Sequence, residues 1–192
     1  ADPKWFNNTK ILKNISYKEA IELSYLGASV IHPNTVKPLQ NKNINLRLKS
    51  FLAPSNMGSL ISENGLNDRE VPSIIYKPDQ CLLSITTKDY SFIFEEHISE
   101  IFSIFFSSGY RVHLMQNSAL SFSVCGIISP FKLTGLISDL QKNYKVKYNE
   151  KVDLLTIRHY DSLDVPEFLK SKQVLIQQRS RATIRFVLKN KS

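Results

Sequence analysis

Residues 111–126 read RVHLMQNSALSFSVCG. Two runs of alternating apolar and polar residues, RVHLMQ (111–116) and LSFSVCG (120–126), flank a short Asn-Ser-Ala break. Alternation at period two marks a half-buried strand, and a short polar break between two such runs makes a tight hairpin. What surrounds the hairpin decides the fold. Upstream, EEHISEIFSIFFSS (95–108) sets Ile98, Ile101, Phe102 and Phe105 on one helical stripe, and Gly109 stops it. Downstream, Pro130 opens a second helix with Leu133, Leu136, Ile137 and Leu140 on its buried side. CLLSIT (81–86) before the first helix and KVKYN (145–149) after the second read as strands. The succession is βαββαβ, the ferredoxin-like order.

From Val152 a shortened version of the same pattern follows: strand DLLTIRHY (153–160), a helical turn near Phe168, then strands QVLIQQ (173–178) and TIRFVLK (183–189). Towards the N-terminus, residues 16–26 read as a helix. Its start, SYKE (16–19), is a capping box, in which the Ser16 hydroxyl takes an early backbone N–H and Glu19 reaches back to the Ser16 amide. Ala20, Leu23 and Gly27 follow helical spacing with Tyr17 behind them, and Gly27 is the stop. A short helix follows Pro33, and NLRLKSF (45–51) alternates like a strand. The turn-rich passage 52–72, with Pro54, Gly58, Gly65 and Pro72, is the best domain boundary. The expected fold class is α/β (α+β): an N-terminal part over 1–62, a βαββαβ domain over 73–150 and a partial second unit over 151–192.

Composition narrows the function. With 192 residues and 42% hydrophobic content the chain can build a packed core. Its net charge of +8 raises nucleic acid as a partner. The basic residues argue otherwise. Arg179, Arg181 and Arg185 alternate with Ser180, Ala182, Ile184 and Phe186, so charge and aromatic fall on opposite faces, whereas a nucleic-acid groove needs them together. A solvated face is the expectation, with no nucleic-acid partner. Phe102, Phe105 and Phe106 read as core and domain packing. Cys81 and Cys125 sit in apolar runs with no CxxC and no His at ligand spacing, which fits a reduced, cytoplasmic setting and no metal site. No apolar run nears the ~20 residues that span a bilayer, so no membrane partner is expected. The opening ADPKWFNNTK is polar and lacks an initiator Met, and it reads as starting inside a longer chain. His32, between an apolar step and Pro33, has no Asp or Ser pattern beside it. It reads as a joint where a strand turns into a helix, not as a ligand.

The same residues carry a family resemblance. ISYKEAIELSYLGASVIHP (15–33) closely resembles the end of the amino-acid-kinase domain of aspartate kinases, where the phrase runs I-S-Y-x-E-A-x-E-L-x-x-x-G-A-K-V-x-H-P. ADPK (1–4) resembles the tail of the family's Y-T-x-D-P-R, and NLRLKSFLAPSNMGSLI (45–61) its V-x-V-K stretch. VHLMQNSALSFSV (112–124) is similar to V-D-L-I-x-T-S-E-x-S-V-S of the regulatory ACT domain, and QQRSRATIRFVL (177–188) to the last strands of a monofunctional branch. The resemblance implies a parent that phosphorylates L-aspartate with ATP and Mg, opening lysine, threonine and methionine synthesis. It also implies an ACT region that dimerises and senses an amino acid, with lysine as first effector and threonine as second.

Residue by residue, the resemblance places Lys4, Ser29 and Val30 at the nucleotide edge, with Ser29 where the family commonly has Lys. It places the effector near the loop 87–95 and the hairpin, at Asp89, Ser91, His113, Asn117 and Ser118. His113 and Ala119 stand where the family has Asp and Glu, and Asp89, Glu95 and Glu96 are replacements for that lost charge. The family's Lys-Phe-Gly-Gly-Thr-Ser phrase and its Gly-rich phosphate segment are absent from these residues. The chain alone is therefore expected to have no catalytic residue, to be inactive, to bind ATP poorly and to need the N-terminal kinase region as partner. The competing reading is a stand-alone ACT-type amino-acid-binding module without kinase activity.

Overall fold

A computed structural model describes residues 2, 4–6, 9–28, 31–65, 68–69, 72–160 and 171–191. The chain divides into two compact units: Ala1–Tyr76 with Thr156–Val165 and Arg179–Ile184, and Lys77–Leu155 with Pro166–Gln178 and Arg185–Ser192.

The first unit holds β1 (Asn14–Ser16), α1 (Tyr17–Leu26), α2 (Pro33–Asn41), β2 (Leu46–Leu48) and β3 (Ser59–Ser62). These strands form a sheet in the order β1-β3-β2, with β1 parallel and β2 antiparallel to β3. Ile15, Tyr17, Ala20, Val36 and Ile61 make its core. Helix α1 starts on Ser16, whose hydroxyl accepts from Glu19 N at 2.9 Å. It ends on Gly27 at φ 107°, where the Ala28 N–H reaches Leu23 O, a Schellman stop that favours glycine. His32 caps α2: its backbone is extended and its Nδ1 accepts from Asn34 N at 3.2 Å. His32 is thus a helix cap; the strand expected before it is not seen among the described residues.

Half of the expected capping box is missing. The Ser16 N–H donates to Asp68 Oδ1 at 2.7 Å, and Glu19 turns elsewhere. A carboxylate fifty residues downstream outcompetes the local partner because it leaves Glu19 free for a buried cation.

The second unit carries β4 (Ser73–Thr87), α3 (Glu95–Ser108), β5 (Arg111–Asn117), β6 (Ser121–Ile127), α4 (Pro130–Gln141), β7 (Tyr144–Arg158), β8 (Lys172–Arg179) and β9 (Thr183–Asn190), with the ends of β4, β7, β8 and β9 in the first. From β4 to β7 the order is the expected βαββαβ. The six strands stand as β5-β6-β4-β7-β9-β8. β6 runs antiparallel to both β4 (Cys81↔Gly126 to Thr86↔Ser121) and β5. Alternation sorts the side chains: Cys81, Leu83, Ile85, Phe122 and Val124 pack with Ile101, Phe105, Leu136 and Leu140 of the helices. Leu82, Leu114, Cys125, Val152, Leu154 and Val187 form a second cluster.

Several strand readings are corrected. β4 begins at Ser73, eight residues before CLLSIT, and β7 is one 15-residue strand through the expected break after Asn149. Strands extend as far as neighbours pair with them, which local alternation does not reveal. Arg179 ends β8, Arg181 sits in the turn to β9, and Arg185 lies on β9, so the three do not share a strand face. Arg185 is half-buried, and its NH2 donates to His113 O at 2.8 Å. Of the three α3 phenylalanines read as packing residues, Phe105 is buried in the core, while Phe102 is 38% and Phe106 91% exposed. The turn near Phe168 lies outside the described residues.

Candidate functional site

The loop between β4 and α3 is tied by its own side chains. Asp89 Oδ1 accepts from the Ser91 N–H at 3.0 Å and from its hydroxyl at 2.8 Å. Such Asx turns are what Asp at this spacing favours. These bonds, the backbone one first, hold the Asp89 carboxyl below its ordinary pKa, so it stays anionic. The Thr87 hydroxyl donates to Ser91 O at 2.7 Å, and Tyr90, at φ 63°, lies under the Lys145 ammonium at 4.1 Å. The hairpin tip is closed by Ser118: its N–H donates to Ser121 O at 2.9 Å, and its hydroxyl accepts from Ser121 N at 3.1 Å. One backbone bond joins the two loops, Ile93 N to Ala119 O at 2.9 Å. Asp89 and Ser91 therefore share one end of the sheet with Asn117 and Ser118, beside the first turn of α3 with Glu95 and Glu96.

His113 stands apart from that group. It is the extra residue of a bulge in β5, between Val112 and Leu114. Gln80 Nε2 donates to Pro78 O at 2.7 Å, which orients the amide so that Oε1, 2.8 Å from His113 Nδ1, accepts. Burial first, then the charges of Lys77, Arg185 and Arg111, push the imidazole down to about 4, so it is neutral at physiological pH. Cys81 and Cys125 are buried, and burial raises both thiols to about 12, which makes them packing residues.

In the first unit Lys4 is exposed, and its N–H donates to Asp2 Oδ1 at 2.9 Å. Ser29 and Val30 lie outside the described residues. A cavity of about 450 Å³ is lined by Leu12, Ala20, Leu23 and Ile61, with Asp2 and Lys10 among its polar lining. Among the described residues no three His, Cys, Asp or Glu side chains converge as a metal site, and no helix is long and apolar enough to cross a membrane.

Sequence reasoning missed a heavily bonded charge cluster in the first unit. Glu19 is 4% exposed. Arg158 grips it with two parallel bonds, Nε to Oε1 at 2.9 Å and NH2 to Oε2 at 2.6 Å. Arg158 NH1 reaches Glu22 Oε2 at 3.3 Å and Thr183 Oγ1 at 3.2 Å. Burial alone would lower the Arg158 pKa; hydrogen bonding and charge from Glu19, then the charges of Glu22 and Asp68, more than offset that and hold it above its usual value. The available signal was an Arg ending the apolar run DLLTI (153–157).

The amino acid kinase family model matches residues 1–50. Among curated proteins, the bifunctional aspartokinase/homoserine dehydrogenase of Haemophilus influenzae is 46% identical over 63 residues, 33% of this chain and 8% of that protein. The chloroplastic aspartokinase 3 of Arabidopsis thaliana is 26% identical over 167 residues, 84% of this chain and 29% of that protein. The chain thus spans less than a third of the length of these relatives. In fold it is similar to E. coli aspartokinase III solved with lysine and aspartate, at a TM-score of 0.76 and 20% identity, covering 97% of this chain and 44% of that one. With an amino acid kinase segment at its start and sequence similarity continuing through the β-rich part, the chain is related to the aspartokinases over most of its length.

Proposed function

We propose that this chain is the C-terminal regulatory part of a cytoplasmic aspartate kinase whose full protein phosphorylates the side-chain carboxylate of L-aspartate with ATP. In this reading residues 1–62 end the kinase domain, 73–150 form an ACT domain and 151–192 a partial second unit, with β7 shared by the last two. The chain contributes amino-acid feedback sensing and dimerisation, and it is inactive by itself. Phosphoryl transfer works by positioning and charge neutralisation around the phosphates. The N-terminal kinase region supplies both tasks.

The observation that best supports the sensing role is the Ile93–Ala119 bond, which ties the loop that holds Asp89 and the start of α3 to the hairpin tip that holds Asn117. Asp89, with Glu95 and Glu96 in the first turn of α3, makes this end acidic, which suits the ammonium groups of an amino acid such as lysine. Lysine is the first candidate, since the E. coli relative was solved with it, and threonine the second. His113 falls outside this ligand group. Exposed Phe106 on α3 and Phe131 on α4 support dimerisation through the same domain.

Calorimetric titration of lysine, threonine and methionine tests the reading. The expected result is heat with lysine, with affinity about tenfold weaker in Asp89→Asn, the loss expected for one charge-assisted bond. No heat with any of the three sinks the sensing role.

A further inference from the structure

We propose that the Glu19–Arg158 pair couples the regulatory strand β7 to helix α1 of the kinase segment, so that an amino acid bound in the regulatory part acts on phosphoryl transfer through this pair. The inference rests on the function proposed above and names the route of its regulation. Glu19 and Arg158 lie 139 positions apart in sequence. Glu19 belongs to α1, the helix that leads through Gly27 to the His32 cap, within the segment that matches the amino acid kinase family. Arg158 is the last residue of β7, whose Tyr144–Leu155 stretch belongs to the second unit. β7 is one strand from Tyr144 to Arg158, and its last residues, Arg158 included, belong with Glu19 to the first unit.

The pair is built to transmit rather than to yield. Two parallel bonds fix the angle between guanidinium and carboxylate, which a single ammonium contact cannot do. All three guanidinium nitrogens are engaged, with Glu22 of α1 and Thr183 of β9 holding the third. The Ser16–Asp68 bond leaves Glu19 no competing task at the helix start. His159 comes next in the chain, at φ 55°, with Nε2 3.2 Å from Glu19 Oε1 yet without a hydrogen bond.

The test uses the full-length protein. Arg158→Met alone strands a buried carboxylate, so the decisive variant is Glu19→Leu with Arg158→Met, which removes both charges, its fold checked by thermal melting. In the unaltered protein lysine inhibits aspartate phosphorylation, and ATP with aspartate shifts lysine affinity by the same coupling factor. In the double variant lysine binds within about twofold of normal, inhibition needs at least about tenfold more lysine, and the shift with ATP and aspartate disappears. Arg158→Lys, which keeps the charge and loses the fork, falls between. A merely structural role would lower melting and turnover without separating binding from inhibition. A folded double variant with an unchanged inhibition curve overturns the coupling. If the unaltered protein neither phosphorylates aspartate nor binds the amino acids, the proposed function falls, and the coupling with it.

Discussion

Arg158→Met is expected to be the most damaging single change in the first unit. The Glu19 carboxylate is 4% exposed and receives two guanidinium bonds at 2.9 and 2.6 Å. Removing one partner of a buried, hydrogen-bonded ion pair costs about 3–5 kcal/mol, because the survivor stays desolvated and unpaired. The contact to Glu22 adds little, since that carboxylate is 45% exposed. For a chain of this length each kcal/mol moves the melting midpoint by about 2–4 °C, so the expected fall is roughly 6–20 °C. The protein carries a single tryptophan, Trp5, whose ring meets Tyr76 edge-on at 5.0 Å within the first unit. Its fluorescence therefore follows this unit's unfolding in a thermal or urea ramp. Adding Glu19→Leu should return most of the loss, since an apolar pair of similar volume is often neutral. Two results refute the reasoning: a single variant that melts with the unaltered protein, or a double variant as unstable as the single.

Three further outcomes follow from the second unit. The buried Tyr110 hydroxyl lies 2.9 Å from Cys81 O and 3.1 Å from Val124 O, so Tyr110→Phe should cost about 1–3 kcal/mol in urea unfolding. His113 titrates near 4 in the fold against 6.5 unfolded, so between those values the unfolded state binds the extra proton. Its contribution to stability is present above pH 6.5 and lost as pH falls towards 4; His113→Gln should flatten that slope, and NMR titration should show a neutral ring at pH 5. Phe106→Glu with Phe131→Glu should turn the expected dimer into a monomer by sedimentation, and a persistent dimer would move the interface away from this helix face.

The legible parts of the fold were those set by nearest neighbours along the chain. α3 was readable from end to end and α4 from its start, because the first stops on Gly109 and the second opens on Pro130. The Asp89–Ser91 turn is also local, since an Asp side chain reaches a backbone N–H two positions on, yet from sequence both residues read only as effector ligands. The start of β4 and the unity of β7 were not readable, because strands run as far as their neighbours allow. His113 joined the effector group on paper by its place in a motif. A bulge and the Gln80 amide put it elsewhere. Neither is visible in RVHLMQ.

Glu19 shows why local rules fail where a partner distant in sequence competes. S-x-x-E at a helix start offers the carboxylate one modest task, a bond to the half-buried Ser16 amide worth about 0.5–1.5 kcal/mol. A desolvated bidentate Arg offers a far stronger one, provided something else satisfies the abandoned amide. Asp68 does so. The exchange costs the helix nothing and links α1 to a strand end far along the chain. The arrangement predicts its own dependency: Asp68→Ala should unpair Ser16 N and draw Glu19 back towards the cap, weakening its grip on Arg158. Asp68→Ala and Arg158→Met should then be less than additive in melting. Full additivity would mean that the two carboxylates act independently and that the missing half of the capping box is incidental.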